Sequence, residues 1–169
     1  MNVTEAIRAR RSIRKFTGAE IPQEHLDAIL EAAMLGPSAR NMRPYEFAVV
    51  KSKEKRAEIA EISPNFKMLA DAACAVIVMG RPDLEEGLGH EFWQQDCSAA
   101  TENILLQALE LGYGTCWCGV YPIAERVAAI RRILGTGENS VPVSLIPMGV
   151  PAEHPAPRGH YDKSRVKYY

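Results

Sequence analysis

Apolar residues recur along this chain with two different periods. Leu26, Ile29, Leu30 and Ala33 stand at i, i+3, i+4 and i+7, which predicts a helix entered at Pro22 and stopped by Gly36-Pro37. Thr4 can cap a short helix before it that runs toward Arg11. Residues 45–50 read as a strand, 53–62 as a charged helix and 66–73 as a shorter helical stretch. The unbroken apolar run 74–79, bounded by Gly80-Arg81-Pro82, is the pattern of a central strand covered on both faces. Within 92–111, Ala99, Ala100, Ile104, Leu105, Leu106, Ala108, Leu109 and Leu111 surround the helix axis, so that helix is expected to be buried. Gly112 and Gly114 end it, a strand follows at 115–120, and an amphipathic helix at 123–134 comes after Pro122. The last strand is expected at 143–148, where Pro147 lacks a ladder donor and suggests an edge position or an early end.

From Pro151 onward the pattern changes, with three prolines in seven residues and then a polar stretch. The tail 151–169 holds too few apolar residues to fold on itself; it frays, or it lies across another surface such as a second subunit. No internal repeat, Ser/Gly linker or charge block divides the rest, so 1–169 reads as one α+β unit. Hydrophobic residues at 47% and charged residues at 24% fit a globular protein and exclude a disordered or collagen-like one. No apolar run approaches the roughly 18 residues that cross a bilayer. The first residues carry charge with no apolar stretch behind it, so the chain is expected in the cytoplasm. Cys74, Cys97, Cys116 and Cys118 form no CxxC pair and have no histidine at zinc spacing, so no metal is expected and the thiols read as packing residues. On a strand Cys116 and Cys118 would share one face.

Three clusters could carry chemistry. Arg8-Ala9-Arg10-Arg11-Ser12-Ile13-Arg14-Lys15 holds five basic residues in eight. It reads as a solvated helix end, as a nucleic-acid contact or as a phosphate site. The net charge of −1 and the lack of interleaved aromatics speak against nucleic acid. Composition does not choose between the other two. The loop Gly36-Pro37-Ser38-Ala39-Arg40-Asn41-Met42-Arg43-Pro44-Tyr45 is either a plain connector or a stiffened hydrogen-bonding edge for a flat polar heterocycle. In Gly112-Tyr113-Gly114-Thr115-Cys116-Trp117-Cys118-Gly119 a helix end and a strand start account for the early glycines without any ligand.

Taken in order, five segments resemble the FMN-dependent nitroreductases and related flavin reductases. They are Arg-Arg-Ser-Ile-Arg-Lys-Phe (10–16), Pro-Ser-x-x-Asn-x-x-Pro (37–44), Lys-Met-Leu-x-x-Ala (67–72), Asp-x-x-Ala-Ala-x-x-Asn-Ile-Leu-Leu (96–106) and Gly-x-Gly-x-Cys-Trp (112–117). The resemblance implies an α+β fold, with a mostly antiparallel central sheet flanked by helices. It also implies a homodimer with one FMN in each of two interface clefts and a C-terminal tail wrapping the partner. By similarity Arg10 and Ser12 contact the FMN phosphate and ribityl chain with Arg11 beside them, and Arg14 reaches the pyrimidine edge of the flavin. Pro37, Ser38, Ala39 and Asn41 approach from the other subunit. Trp117, Cys118 and Gly119 lie along the ring with Asn65 as a further ring contact, and Arg158 or Arg165 completes the phosphate site.

The activity so implied is FMN-dependent oxidoreduction by a ping-pong scheme. NADH or NADPH delivers hydride to flavin N5 and leaves, and a small nitroaromatic, quinone or related electrophile follows into the same cleft. No side chain is expected to be catalytic, because the flavin does the chemistry. The missing G-x-G-x-x-G fingerprint implies that the nicotinamide cofactor visits as a substrate. A specialised reaction on the same scaffold, acting on reduced flavin or on a halogenated aromatic, and a non-enzymatic flavin-binding role are the alternatives. Neither nucleic acid nor membrane is expected as a partner. This chain has Arg43-Pro44-Tyr45 where many relatives have Gln-Pro-Trp, and its stretch 81–93 is brief, which implies an open pocket that His90, Phe92 and Trp93 could line.

Overall fold

The computed structural model describes residues 1–84, 87–156 and 159–169, with backbone alone at 88 and 89. Its helices are α1 (Val3–Ala9), α2 (Gln23–Met34), α3 (Lys53–Ala60), α4 (Trp93–Glu110) and α5 (Ala124–Leu134). Its strands are β1 (Tyr45–Val50), β2 (Cys74–Gly80), β3 (Gly114–Thr115), β4 (Cys118–Gly119) and β5 (Val141–Gly149). Short 3-10 turns include Ala39–Asn41 and Pro64–Ala70. Among the described residues no helix is long and apolar enough to cross a membrane.

Alternation along β2 sorts the molecule into layers. Cys74, Val76 and Val78 pack toward α2 and α4, whereas Ala75, Ile77 and Met79 pack toward α3, α5 and the 3-10 turn Pro64–Ala70. Every residue of β2 is buried, which is why the run shows no polar alternation. The sheet order is β1-β2-β5-β3 with β4 also on β5, and all of these strand pairs are antiparallel. The α+β architecture and the central place of 74–79 therefore match the sequence expectation.

Four local expectations need correction. Asn2 rather than Thr4 caps α1, in a reciprocal box where Asn2 accepts from the Glu5 amide and Glu5 accepts from the Asn2 amide. The last strand is interior: β5 lies between β2 on one side and β3 and β4 on the other. Its prolines are accommodated locally. Pro142 sits beside the register shift at Val78/Met79, and the Pro147 carbonyl accepts from the Cys116 amide at 3.3 Å. Because amide and carbonyl of one strand residue face the same side, Pro147 can return no hydrogen bond to Cys116. The expected strand 115–120 is consequently interrupted at Cys116-Trp117, although β3 and β4 keep one continuous register against β5. Finally, α4 is not covered all round. Cys97, Ala100, Ile104, Leu105 and Ala108 are buried, but Ala99, Leu106, Leu109 and Leu111 remain half-buried beside exposed Val3, Ile7 and Leu35.

Candidate functional site

After α1 the chain runs extended along the sheet margin. The Ile13 amide donates to the Thr115 carbonyl at 2.8 Å, Ser12 bridges Thr115 in parallel, and Phe16 bridges Pro151. Buried Ile13 and Phe16 pack on Ala72 and fix this stretch in place. Gly114 makes the approach possible, since a Cβ there would stand 2.8 Å from Ile13 Cβ and Cγ2. Gly114→Ala is therefore expected to cost about 1–3 kcal/mol in urea unfolding by overpacking; a cost near zero would show that the 10–16 stretch yields freely.

Arg10, Ser12 and Arg14 occupy alternate positions of this stretch, and all three act on Cys116. The Cys116 thiol is held below its ordinary range by hydrogen bonding with Cys118, by the Arg14 charge, by the Ser12 hydroxyl and by Arg10, against the opposing pull of burial. Cys118 is shifted upward by its bond with Cys116 and by burial. Cys118 Sγ also lies 3.6 Å from the Asn65 carbonyl.

Next to this row lies a cavity of about 260 Å³ lined by Arg14, Asn65, Cys116, Trp117, Cys118, Gly119 and Arg126, with Pro64 and Met68. Ser63 caps the Pro64–Ala70 turn by accepting from the Asn65 amide, which presents Asn65 to the cavity. Trp117 is 37% exposed because alternation turns it away from the core that Cys116 and Cys118 enter. Arg126 escaped sequence reasoning. It donates to the Gly119 carbonyl at 2.7 Å and the Ser63 hydroxyl at 3.2 Å, over the Phe66 ring at 5.2 Å. A lone arginine on the polar face of an amphipathic helix carries no sequence signal of such a place.

The remaining expected residues lie elsewhere in the single chain. Pro37, Ser38 and Ala39 line a separate cavity of about 400 Å³ with Phe92, Gln95, Asp96 and Ala99. Asp96, 6% exposed, accepts from the Ala39 amide at 3.0 Å, and the Ser38 hydroxyl accepts from the Arg43 amide at 3.0 Å. Arg40, Asn41 and Arg43 all have positive φ, so these bonds hold a conformation that L-residues seldom adopt. Arg11 lines a third cavity with Arg10 and donates to the Ala156 carbonyl at 3.2 Å, tying the tail down rather than joining the Arg14 cavity. Arg165 pairs with Asp162 in the exposed tail, and Arg158 lies outside the described residues. Trp93 is a core residue packed on Gly80, and exposed His90 bonds the Pro82 carbonyl, so neither lines the Arg14 cavity.

Fold and site together define an α+β protein with a row of cationic and hydroxyl donors along a polar cavity at the sheet margin, the equipment for holding a flat ligand with an anionic end. The chain belongs to the nitroreductase family, whose model matches residues 7–66 and 63–150. It is 48% identical over 166 residues to a "Putative NADH dehydrogenase/NAD(P)H nitroreductase" of Methanothermobacter thermautotrophicus, covering 98% of this chain and 86% of the relative. A crystal structure of a protein of the same description from Parabacteroides distasonis superposes with a TM-score of 0.93 at 32% identity, covering 98% of this chain and 96% of the other. An FMN-dependent nitroreductase from Clostridium difficile superposes with a TM-score of 0.90 at 29% identity, covering 98% of each chain.

Proposed function

We propose that this chain is an FMN-dependent oxidoreductase that draws hydride from NADH or NADPH and reduces nitroaromatics, quinones or related small electrophiles. The observation that carries this reading is the row Arg10, Ser12 and Arg14 beside the cavity of Asn65, Trp117, Cys118 and Gly119. The donor set fits FMN. Its phosphate needs compensating cations, of which Arg10 also pairs with Glu102 at 3.4 Å, and its pyrimidine edge needs one too; among the described residues no carboxylate forms an ion pair with the Arg14 guanidinium. When bound, FMN supplies a centre that accepts hydride from the nicotinamide and passes electrons to the second substrate.

The chain's own residues do the rest. Arg10 and Ser12 hold the phosphate and ribityl end, Arg14 neutralises charge at the pyrimidine edge, and Asn65, Trp117, Cys118 and Gly119 fix the ring plane. Arg126 closes the cavity margin through its bond to the Gly119 carbonyl. Pro37, Ser38, Ala39 and Asn41 are separated from this cavity in one chain, so they reach it from a second copy. The half-buried apolar stripe of α4, continued by Val3 at 74% and Leu35 at 77% exposure, is the surface such a copy would cover. The tail, with Arg165, then lies across that partner.

The test is a visible spectrum of the purified protein followed by anaerobic addition of NADH or NADPH. Oxidised-flavin bands that bleach are expected, and reoxidation by a quinone should restore them. A protein that stays colourless after incubation with FMN, or coloured but unbleached by both nicotinamides, would refute the reading.

A further inference from the structure

The flavin reading gives the buried side chain of Asp96 no task. Asp96 stands in the first turn of α4, is 6% exposed, and carries one oxygen, Oδ2, with no hydrogen-bond partner among the described residues. Burying a polar oxygen without a partner opposes folding, and such a group in a native fold calls for an explanation. Its other oxygen, Oδ1, accepts from the Ala39 amide at 3.0 Å, across 57 positions of sequence. The remaining hydrogen bonds of residues 38–43 stay local: Asn41 donates to the Ser38 carbonyl, Met42 to the Ala39 carbonyl, Arg43 to the Ser38 hydroxyl, and Tyr45 to the Arg43 carbonyl. The ends of the loop are anchored separately, since the Tyr45 hydroxyl donates to the Met34 carbonyl at 3.2 Å and Pro44 is buried. Among the described residues, Asp96 is therefore the one hydrogen-bonding tie between residues 38–43 and a distant part of the chain. What it ties down is strained. Arg40, Asn41 and Arg43 have φ of 51°, 59° and 51°, and no glycine stands among 38–43 to relieve them.

We propose that Asp96 is a positioning residue, which holds the 37–41 loop in the strained shape that meets the flavin of a second copy and lowers the chain's own stability in doing so. This rests on the flavin reading and on its cleft between two chains. Backbone strain and an unpartnered buried oxygen both work against folding, and they coincide at the one loop read as reaching across to the partner. Asp96 itself touches no ligand. Its carboxylate fixes the Ala39 amide, and through it the left-handed residues that follow. A loop already in its binding shape loses less freedom when the ligand docks, so the effect appears as affinity. A residue that merely supports the fold moves stability and flavin binding together, whereas Asp96 moves them apart.

The experiment compares wild type, Asp96→Ala and Asp96→Asn. FMN dissociation is read by ultrafiltration, and the urea midpoint is measured at several FMN concentrations and extrapolated to none, so that stabilisation by the ligand drops out. Asp96→Ala is expected to loosen FMN by about tenfold or more while the extrapolated midpoint stays level or rises. Asp96→Asn keeps an acceptor for the Ala39 amide and should recover most of the affinity. A midpoint that falls in step with affinity, failure of Asp96→Ala to fold, or unchanged affinity in Asp96→Ala would overturn the proposal. A mixed dimer of one Asp96→Ala chain and one Arg14→Ala chain, purified through two different tags, tests the reach across the interface. Both defects then fall in one cleft, so the other cleft should keep its FMN. Two empty clefts would overturn the cross-subunit placing and this proposal with it. Wild-type protein that binds no FMN refutes the flavin reading itself, whereas unchanged affinity in Asp96→Ala refutes only the role of Asp96.

Discussion

Arg14→Ala is expected to loosen FMN by about 10- to 150-fold, the equivalent of about 1.5–3 kcal/mol for a lost charge-assisted hydrogen bond. Arg14 lines the cavity, and its guanidinium has no ion-pair partner among the described residues, so its charge is available to a ligand. Arg14→Lys should recover part of the loss, since the charge returns without the planar fork. Arg11→Ala is the contrasting variant. Its guanidinium is committed to the Ala156 carbonyl and the Arg10 carbonyl, so flavin retention should change by less than about threefold, because surface changes away from a site stay within about 0.5 kcal/mol. Flavin in the filtrate after ultrafiltration measures both. Equal losses in the two variants would move the pyrimidine edge of the flavin away from Arg14.

Phe66→Ala should give the largest loss of stability, about 3–5 kcal/mol, through a shifted urea midpoint at nearly constant slope. Phe66 is fully buried among Ile59, Leu69, Ile77 and Val120, beneath the Arg126 guanidinium. Truncation removes both its packing and a cation–π contact worth about 0.5–2 kcal/mol. The same ring supports the Pro64–Ala70 turn that presents Asn65, so flavin retention should fall along with stability. A midpoint change equivalent to less than about 1 kcal/mol would show that the second core tolerates the cavity by collapsing.

Local signals were legible wherever one neighbour decides the outcome. The i, i+3, i+4 spacing of Leu26, Ile29 and Leu30 located α2, and the unbroken run 74–79 located the doubly covered strand. The placing of β5 was not legible, because Pro147 reads as an edge residue until its partner is known. Only the pairing with β3 and β4 shows that the missing amide faces an interruption in their ladder. Thr4 and Asn2 are both acceptable caps by residue type, and the Glu5 carboxylate, reaching back to the Asn2 amide, selects between them.

The candidate site divides in the same way. Charged and small polar residues at 10–14, 37–41 and 116–119 mark themselves in the sequence, because a solvated face or a connector needs no such pattern in five ordered segments. Which of them share a cavity is a matter of long-range packing. Arg14, Asn65 and Trp117 converge because Ile13 docks beside Thr115, about a hundred residues away in the chain, while the local Ser63 cap shapes the turn that carries Asn65. Arg126 and the electrostatic bias of Cys116 came from the tertiary structure alone, since both arise from side chains brought together across the sheet. The sequence by itself determined the layer pattern and the chemical inventory, because periodicity and residue type are local properties. The folded chain decided which donors face one another, because distance and dielectric are not written along a sequence.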